Sequence, residues 1–362
     1  MTKNATNIFT RLAALAVCLT LLTLTIGCGE DDVEPIEGFD ATVLTSDYAH
    51  KIVLATYGEL DAKADVLLTA VLNLKNDPTD ANLTAAQDAW TATRIPWEQS
   101  EAFLFGPVDT LGIDPKLDSW PVNRVDLDAV LASSQPLTKE TVDSLEETLK
   151  GFHTIEYLLF GVGSQKKASD LTDREIEYLT AVTESLKGDT AALYDAWSPD
   201  GGNFLGEFVN AGGSSQVYVS KRAAVQEIAN GMITIADEVA NGKISDPYNE
   251  EDPTLVESQF SFNSIADFQN NIRGIQNAYL GKYQETGMGL TEFVAEQDAE
   301  LDTRLKGEIE AAIAAIGAIP PPFRDAISNA RADVQAAIDA VRVVQTTLES
   351  GILPLIEAAD IK

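Results

Sequence analysis

His153 and Glu156 lie three residues apart, one helical turn, so an imidazole and a carboxylate can share one helix face. The apolar seam around them runs Val142, Leu145, Leu149, Phe152 and Leu159 in steps of three and four. Glu156 falls on that seam, where the pattern asks for a hydrophobe. An ionised carboxylate on a core seam is costly unless it is paired, hydrogen-bonded or bound to a metal. Gly151 inside the same segment costs about 1 kcal/mol relative to Ala, which close approach by another backbone would justify. A second seam, Leu83, Gln87, Trp90, Arg94, Trp97, Glu101 and Leu104, sets Arg94 and Glu101 beside two tryptophans, with Glu98 one turn before Glu101. Pro96 is expected to kink or break that helix and free a carbonyl.

Two helices therefore each bring an i,i+3 pair, Glu98 with Glu101 and His153 with Glu156. Inward-facing carboxylates and imidazoles are how helical bundles build metal sites, and such donors suit iron, zinc or manganese. The same residues also fit a structural reading, a hydrogen-bonded His–Glu pair and an ordinary Arg94–Glu98 helix ion pair. The only other histidine is His50, so a His-rich zinc site is excluded, and the H-E-x-x-H arrangement of many metalloproteases is absent. Gly161 and Gly163 follow no strand and read as a helix stop rather than a dinucleotide loop.

The elements that must position these groups are helical nearly throughout. Three-and-four spacing predicts helices over 44–76, 80–105, 138–160, 172–197, 215–241, 264–284, 291–317 and 322–349. Thr172 with Glu175 fits a capping box, Gly161 and Gly281 fall just past periodic segments, and Pro320, Pro321 and Pro322 separate the last two helices. Long helices and short turns predict an all-α fold of two packed antiparallel helical bundles, 41–200 carrying the His–Glu motif and 201–362. Residues 106–136 resist the helical scheme and read as a long acidic connection. Asp109 and Asp118 sit in it, between the two pairs, and are weaker candidate ligands.

The first 27 residues read as a secretory leader: Lys3 and Arg11, then an apolar run from Leu12 to Ile26 that is too short to span a bilayer. Leu24 to Cys28 looks like a lipobox, with Cys28 the expected lipidation site and 28–40 a flexible acidic tether. Cys18 is the only other cysteine, so the exported part would carry no intrachain disulfide. The net charge of −32 repels nucleic acid and attracts cations.

At Gly151, His153 and Glu156 the chain resembles the imelysin-like family, whose signature is G-x-H-x-x-E. Arg94 to Phe103 running on to Gly106 and Asp109, then Ser119 to Pro121, then Asn271 to Gly281, resemble further landmarks of that family in the same order. The resemblance implies two helical bundles with a site near the groove between them, in a bacterial envelope protein tied to iron uptake. It implies a metal site at His153 and Glu156 first, then Glu98 and Glu101, with Asp109 and Asp118 after them. Arg94 and Gln276 would orient ligands or a bound small molecule. The expected cargo is a divalent or ferric ion, iron before zinc, or a metal-bearing ligand; the expected partners are the membrane, through the lipid on Cys28, and other envelope iron-uptake proteins. The expected place is the outer membrane, facing the periplasm or the surface. The family is also classed among metallopeptidases, but a hydrolytic zinc needs three protein ligands, an open position and a base. A metal-dependent endopeptidase and a polymer-binding or scaffolding lipoprotein with a structural His–Glu pair are the alternatives.

Overall fold

The computed structural model describes residues 38–362; Cys28, the leader and most of the tether lie outside the described residues. The first helix, α1, runs over 42–76 and takes π-helical form at Tyr48–Leu54. It is followed by α2 (Asp80–Ser100), α3 (Gly151–Phe160) and α4 (Asp173–Trp197). After 198–220 come α5 (Lys221–Asp237), extended by the π-helical Glu238–Lys243, then α6 (Ser264–Leu280), α7 (Ala299–Gly317) and α8 (Arg331–Thr347). Short helices fill the connections. Among the described residues there is no strand, only isolated bridges such as Phe39 with Ile361.

Local signals end these helices where the chemistry requires. Thr79 accepts from Asn82 N–H at the start of α2, and Thr172 and Glu175 satisfy each other's backbone at the start of α4. Gly281 stops α6 in the left-handed conformation. Several expected helices are interrupted. Ser220, not residue 215, caps α5; Asp298 adopts φ −152 and accepts from Glu300 and Leu301 N–H, which splits the 291–317 segment; and Ala330 divides the last one. Pro96 lies within α2, which runs unbroken to Ser100.

The correction that matters for the site is at 138–160. That stretch is Lys139–Asp143, a 3-10 turn at Glu147–Leu149, and then α3. Gly151 begins α3 at φ +74, and a Cβ there would lie 2.3 Å from Leu117 O. The 106–136 connection passes directly under α3, and Asp118 is brought beside His153 by that approach.

Helix α1 packs on α2 and α4, and α3 packs on α4 and α2. In the second half α7 packs on α8 and α6, and α5 on α6 and α8. The halves share one hydrophobic core because α2 also packs along α6. Gly274 of α6 permits this: a Cβ there would sit 2.4 Å from Gln99 O. From Thr93 to Phe103 every residue but Ile95 is buried, so the last part of α2 is covered nearly all round where a surface helix would be covered on one face.

Gly151→Ala is expected to destabilise the protein by about 2–4 kcal/mol, from left-handed strain plus the backbone clash. Gly307→Ala, inside α7 with open space around it, is expected to be neutral or stabilising by up to about 1 kcal/mol. Urea denaturation of the two variants checks this; equal effects would refute the close-approach account.

Candidate functional site

Where α2, α3, the 106–136 connection, α5 and α6 converge, the interior holds charge. The Arg94 guanidinium, fully buried, contacts Glu98 one turn on and Asp118, and lies 2.6 Å from Glu257 Oε1 and 3.6 Å from Asp267 Oδ1. Its carbon lies 4.9 Å from the Phe152 ring centroid. Lys243, at the end of the π-helical extension of α5, reaches Glu101 Oε2 at 2.8 Å, Glu257 Oε2 at 3.1 Å and Glu98 Oε2 at 3.6 Å. Asn271 of α6 donates to Glu98 Oε2 at 2.6 Å and Glu101 Oε2 at 2.8 Å. Trp97 Nε1 donates to Asp118 Oδ2 at 2.6 Å.

His153 and Glu156 have different duties. Glu156 Oε1 accepts from Phe260 N–H, Ser261 N–H and Ser261 Oγ at 2.7–2.9 Å, while Oε2 meets His153 Nδ1 at 3.0 Å. Its carboxylate is spent on shaping a turn and orienting the ring. The turn is strained, with Ser258 and Phe262 at φ +52 and +66, and the anion beneath it compensates. The same turn delivers Glu257. His153 Nε2 then faces Asp118 Oδ1 at 3.0 Å and Glu257 Oε1 at 3.8 Å. Close as it is to these carboxylates, Nε2 has no aligned hydrogen bond, and neither does Glu257 Oε2.

Six carboxylates (Glu98, Glu101, Asp118, Glu156, Glu257, Asp267) thus meet two permanent cations and one imidazole, none of them more than 4 % exposed. Burial pushes Asp267 up to about 6 against the pull of Arg94, and pushes Glu101 well above its usual range although Lys243 opposes it. Burial also works against an ionised Asp118, yet Arg94 and His153 hold it well below the carboxylate range. At His153 burial disfavours the charged ring, but Asp118 and Glu156 outweigh it and raise the pKa to about 9.

Two trios offer ligand atoms within 4.8 Å of one another: Asp118, His153 and Glu257, and Glu98, Glu101 and Asp118. An imidazole nitrogen held by a carboxylate through its other nitrogen is the usual dress of a metal-binding histidine, and nitrogen with carboxylate oxygens suits iron or zinc. Arg94 holds two of the oxygens, but each carboxylate oxygen has two lone pairs. The residues present fit an ion.

Of the sequence candidates, His153, Glu156, Glu98, Glu101, Asp118 and Arg94 converge. Asp109 does not; it is exposed on the short helix Pro107–Thr110 because the chain turns outward there. Gln276 does not either, since it lies on another face of α6 than Asp267 and Asn271 and lines a cavity of about 90 Å³ with Tyr279 and Lys306. Sequence reasoning missed Lys243, Glu257, Asp267 and the network role of Asn271. Lys243 and Asp267 sit on the seams of α5 and α6, so the count that found Glu156 would have found them. Glu257 lies in irregular chain and left no periodic signal.

Because His153 is raised from 6.5 to about 9 on folding, its contribution is complete below pH 6.5 and lost as pH climbs through 9. Without added metal, the melting temperature is expected to fall between pH 7 and 9.5, by an amount equivalent to a few kcal/mol. The His153→Gln variant should lack that slope; thermal melts across this range decide, and a flat wild-type profile would count against it.

The imelysin peptidase family model matches residues 53–348. Iron-regulated protein A of Synechococcus elongatus is 31% identical over 350 residues, spanning 94% of this chain and 92% of that protein. A crystal structure of a candidate iron-regulated protein A precursor from Parabacteroides distasonis superposes with a TM-score of 0.77 at 29% identity, covering 88% of this chain and 94% of the other. An imelysin-like protein from Psychrobacter arcticum, at 14% identity, shares the fold, with a TM-score of 0.71 over 89% of this chain and 98% of its own.

Proposed function

This chain belongs to the imelysin family, and on that premise we propose that it is an envelope lipoprotein that captures an iron ion, or a ligand bearing one, at the buried face formed by His153, Asp118 and Glu257. The observation that carries the reading is His153 itself. Its Nδ1 is held by Glu156, while Nε2, lacking an aligned hydrogen bond, faces two carboxylates at 3.0 and 3.8 Å. A bound cation would supply the positive charge that six carboxylates against three bases lack. The relatives' names tie those proteins to iron regulation, which favours iron over zinc as the cargo. Capture at this site is the proposed step in iron uptake.

Peptide hydrolysis fits this geometry poorly. A base beside an ion-bound water must be free and within reach of a substrate. Glu156 already accepts four hydrogen bonds, and no group in the network is more than 4 % exposed.

Ferrous or zinc titration of the whole chain, followed by calorimetry and by the rise in melting temperature, tests the capture reading. Binding is expected to weaken at least tenfold in His153→Ala and in Asp118→Asn. Equal, weak binding by all three proteins would defeat the reading and leave the network structural. The membrane attachment is tested separately: labelled fatty acid should be incorporated into the wild type and not into Cys28→Ser, and label retained in that variant would rule out Cys28 as the anchor.

A further inference from the structure

We infer that Lys243 is a displaceable, tethered counterion, and that the cleft it floors is the route by which a cation reaches the buried carboxylates. The inference rests on the capture reading above and adds how the site is entered and kept closed.

A cleft of about 410 Å³ opens at the surface, and its lining includes Trp120, Glu238, Lys243, Asp246 and Glu250. Lys243 is 2 % exposed and belongs to both worlds. Its stem closes the bottom of the cleft, and its ammonium meets Glu101, Glu257 and Glu98 on the inner side. Trp120 lies over it, with the ring centroid 5.3 Å from Nζ and 5.9 Å from the His153 ring. Lys243 and Trp120 therefore line the open cleft on one side and touch the buried network on the other.

The two permanent cations of the network are not equivalent. Arg94 is fully buried under aromatic rings, and its planar fork contacts four carboxylates at once. A guanidinium so gripped has nowhere to go. Lys243 is a point charge on a flexible four-carbon stem; it donates to Glu101 Oε1 at 3.1 Å and to Glu257 Oε1 at 3.3 Å, single bonds that rotation of the stem can exchange one at a time. It stands at the end of a π-helical segment, where the backbone ladder is already irregular, and the adjacent Gly242 has open space around it. Asp246 follows three residues on and lines the same cleft, as do Glu238 and Glu250. An ammonium rotated outward would find new carboxylates there. Lys243 can thus hand over its inner partners to a divalent ion and keep carboxylate partners at the cleft, and Arg94 cannot.

The test is metal affinity of the whole chain in three forms, read by calorimetry with zinc and with ferrous ion under anaerobic conditions. Lys243→Met keeps the stem and removes the competing charge, so affinity should rise at least tenfold. Lys243→Arg keeps the charge but grips the carboxylates with a fork, so in the cooperatively folded variant affinity should fall at least tenfold. Unaltered affinity in a cooperatively folding Lys243→Met, or in Lys243→Arg, would overturn the counterion role while leaving capture intact. Absence of binding in the wild type and in Lys243→Met alike would overturn the capture reading itself.

Discussion

The burial of Arg94 is the constraint on which the rest of this structure depends. A guanidinium with no solvent contact must be surrounded by acceptors, because an unpaired buried charge costs several kcal/mol. Its partners come from α2 itself, from the 106–136 connection, from the turn before α6 and from α6. Elements that lie far apart in the chain are therefore brought to one point by a single side chain. Gly151 and Gly274 are needed for the same reason, since each lets a backbone come close enough for those carboxylates to arrive.

Meeting that demand overshoots it. Six carboxylates collect around Arg94, Lys243 and His153; burial, with neighbouring carboxylates adding to it, weakens Glu101 and Asp267 as acids, and Asp118 and Glu156 make His153 more basic. The network holds protons where it lacks cations, so an ion that entered would release protons as it bound. On the proposed capture, stability and cation affinity would be set by the same few groups. Glu156 illustrates the economy of the arrangement: one carboxylate orients the imidazole, and it also shapes the turn that presents Glu257.

Much of the site was legible before the fold was known. A charged residue on an apolar seam is an anomaly that only pairing can excuse, which singled out Glu156, Arg94 and Glu101 from spacing alone. The same count applied to α5 and α6 marks Lys243 beside Val239 and Ala240, and Asp267 beside Phe268. Asp118 could be placed only as an acid in a proline-rich connection, in the same class as Asp109, although one proved buried at the centre and the other exposed. Nothing in the local sequence separates them, because the difference lies in whether the backbone passes beneath α3.

The amino-acid sequence by itself determined that the protein is all-α, where several of its long helices begin or end, and which of several polar residues sit on core-facing seams. These are local matters, decided by side-chain periodicity, caps and breakers within a few residues. Tertiary structure alone decided that Glu257, in irregular chain, completes a trio with Asp118 and His153, that the end of α2 from Thr93 is buried except at Ile95, and that the helix expected over 138–160 is broken between Asp143 and Gly151. It also decided that Arg94 meets four carboxylates in the interior while Lys243 reaches both the network and a surface cleft. Each depends on approach between segments tens to more than a hundred residues apart. Such an approach follows from how the helices pack around a buried charge, and helix periodicity carries no record of it.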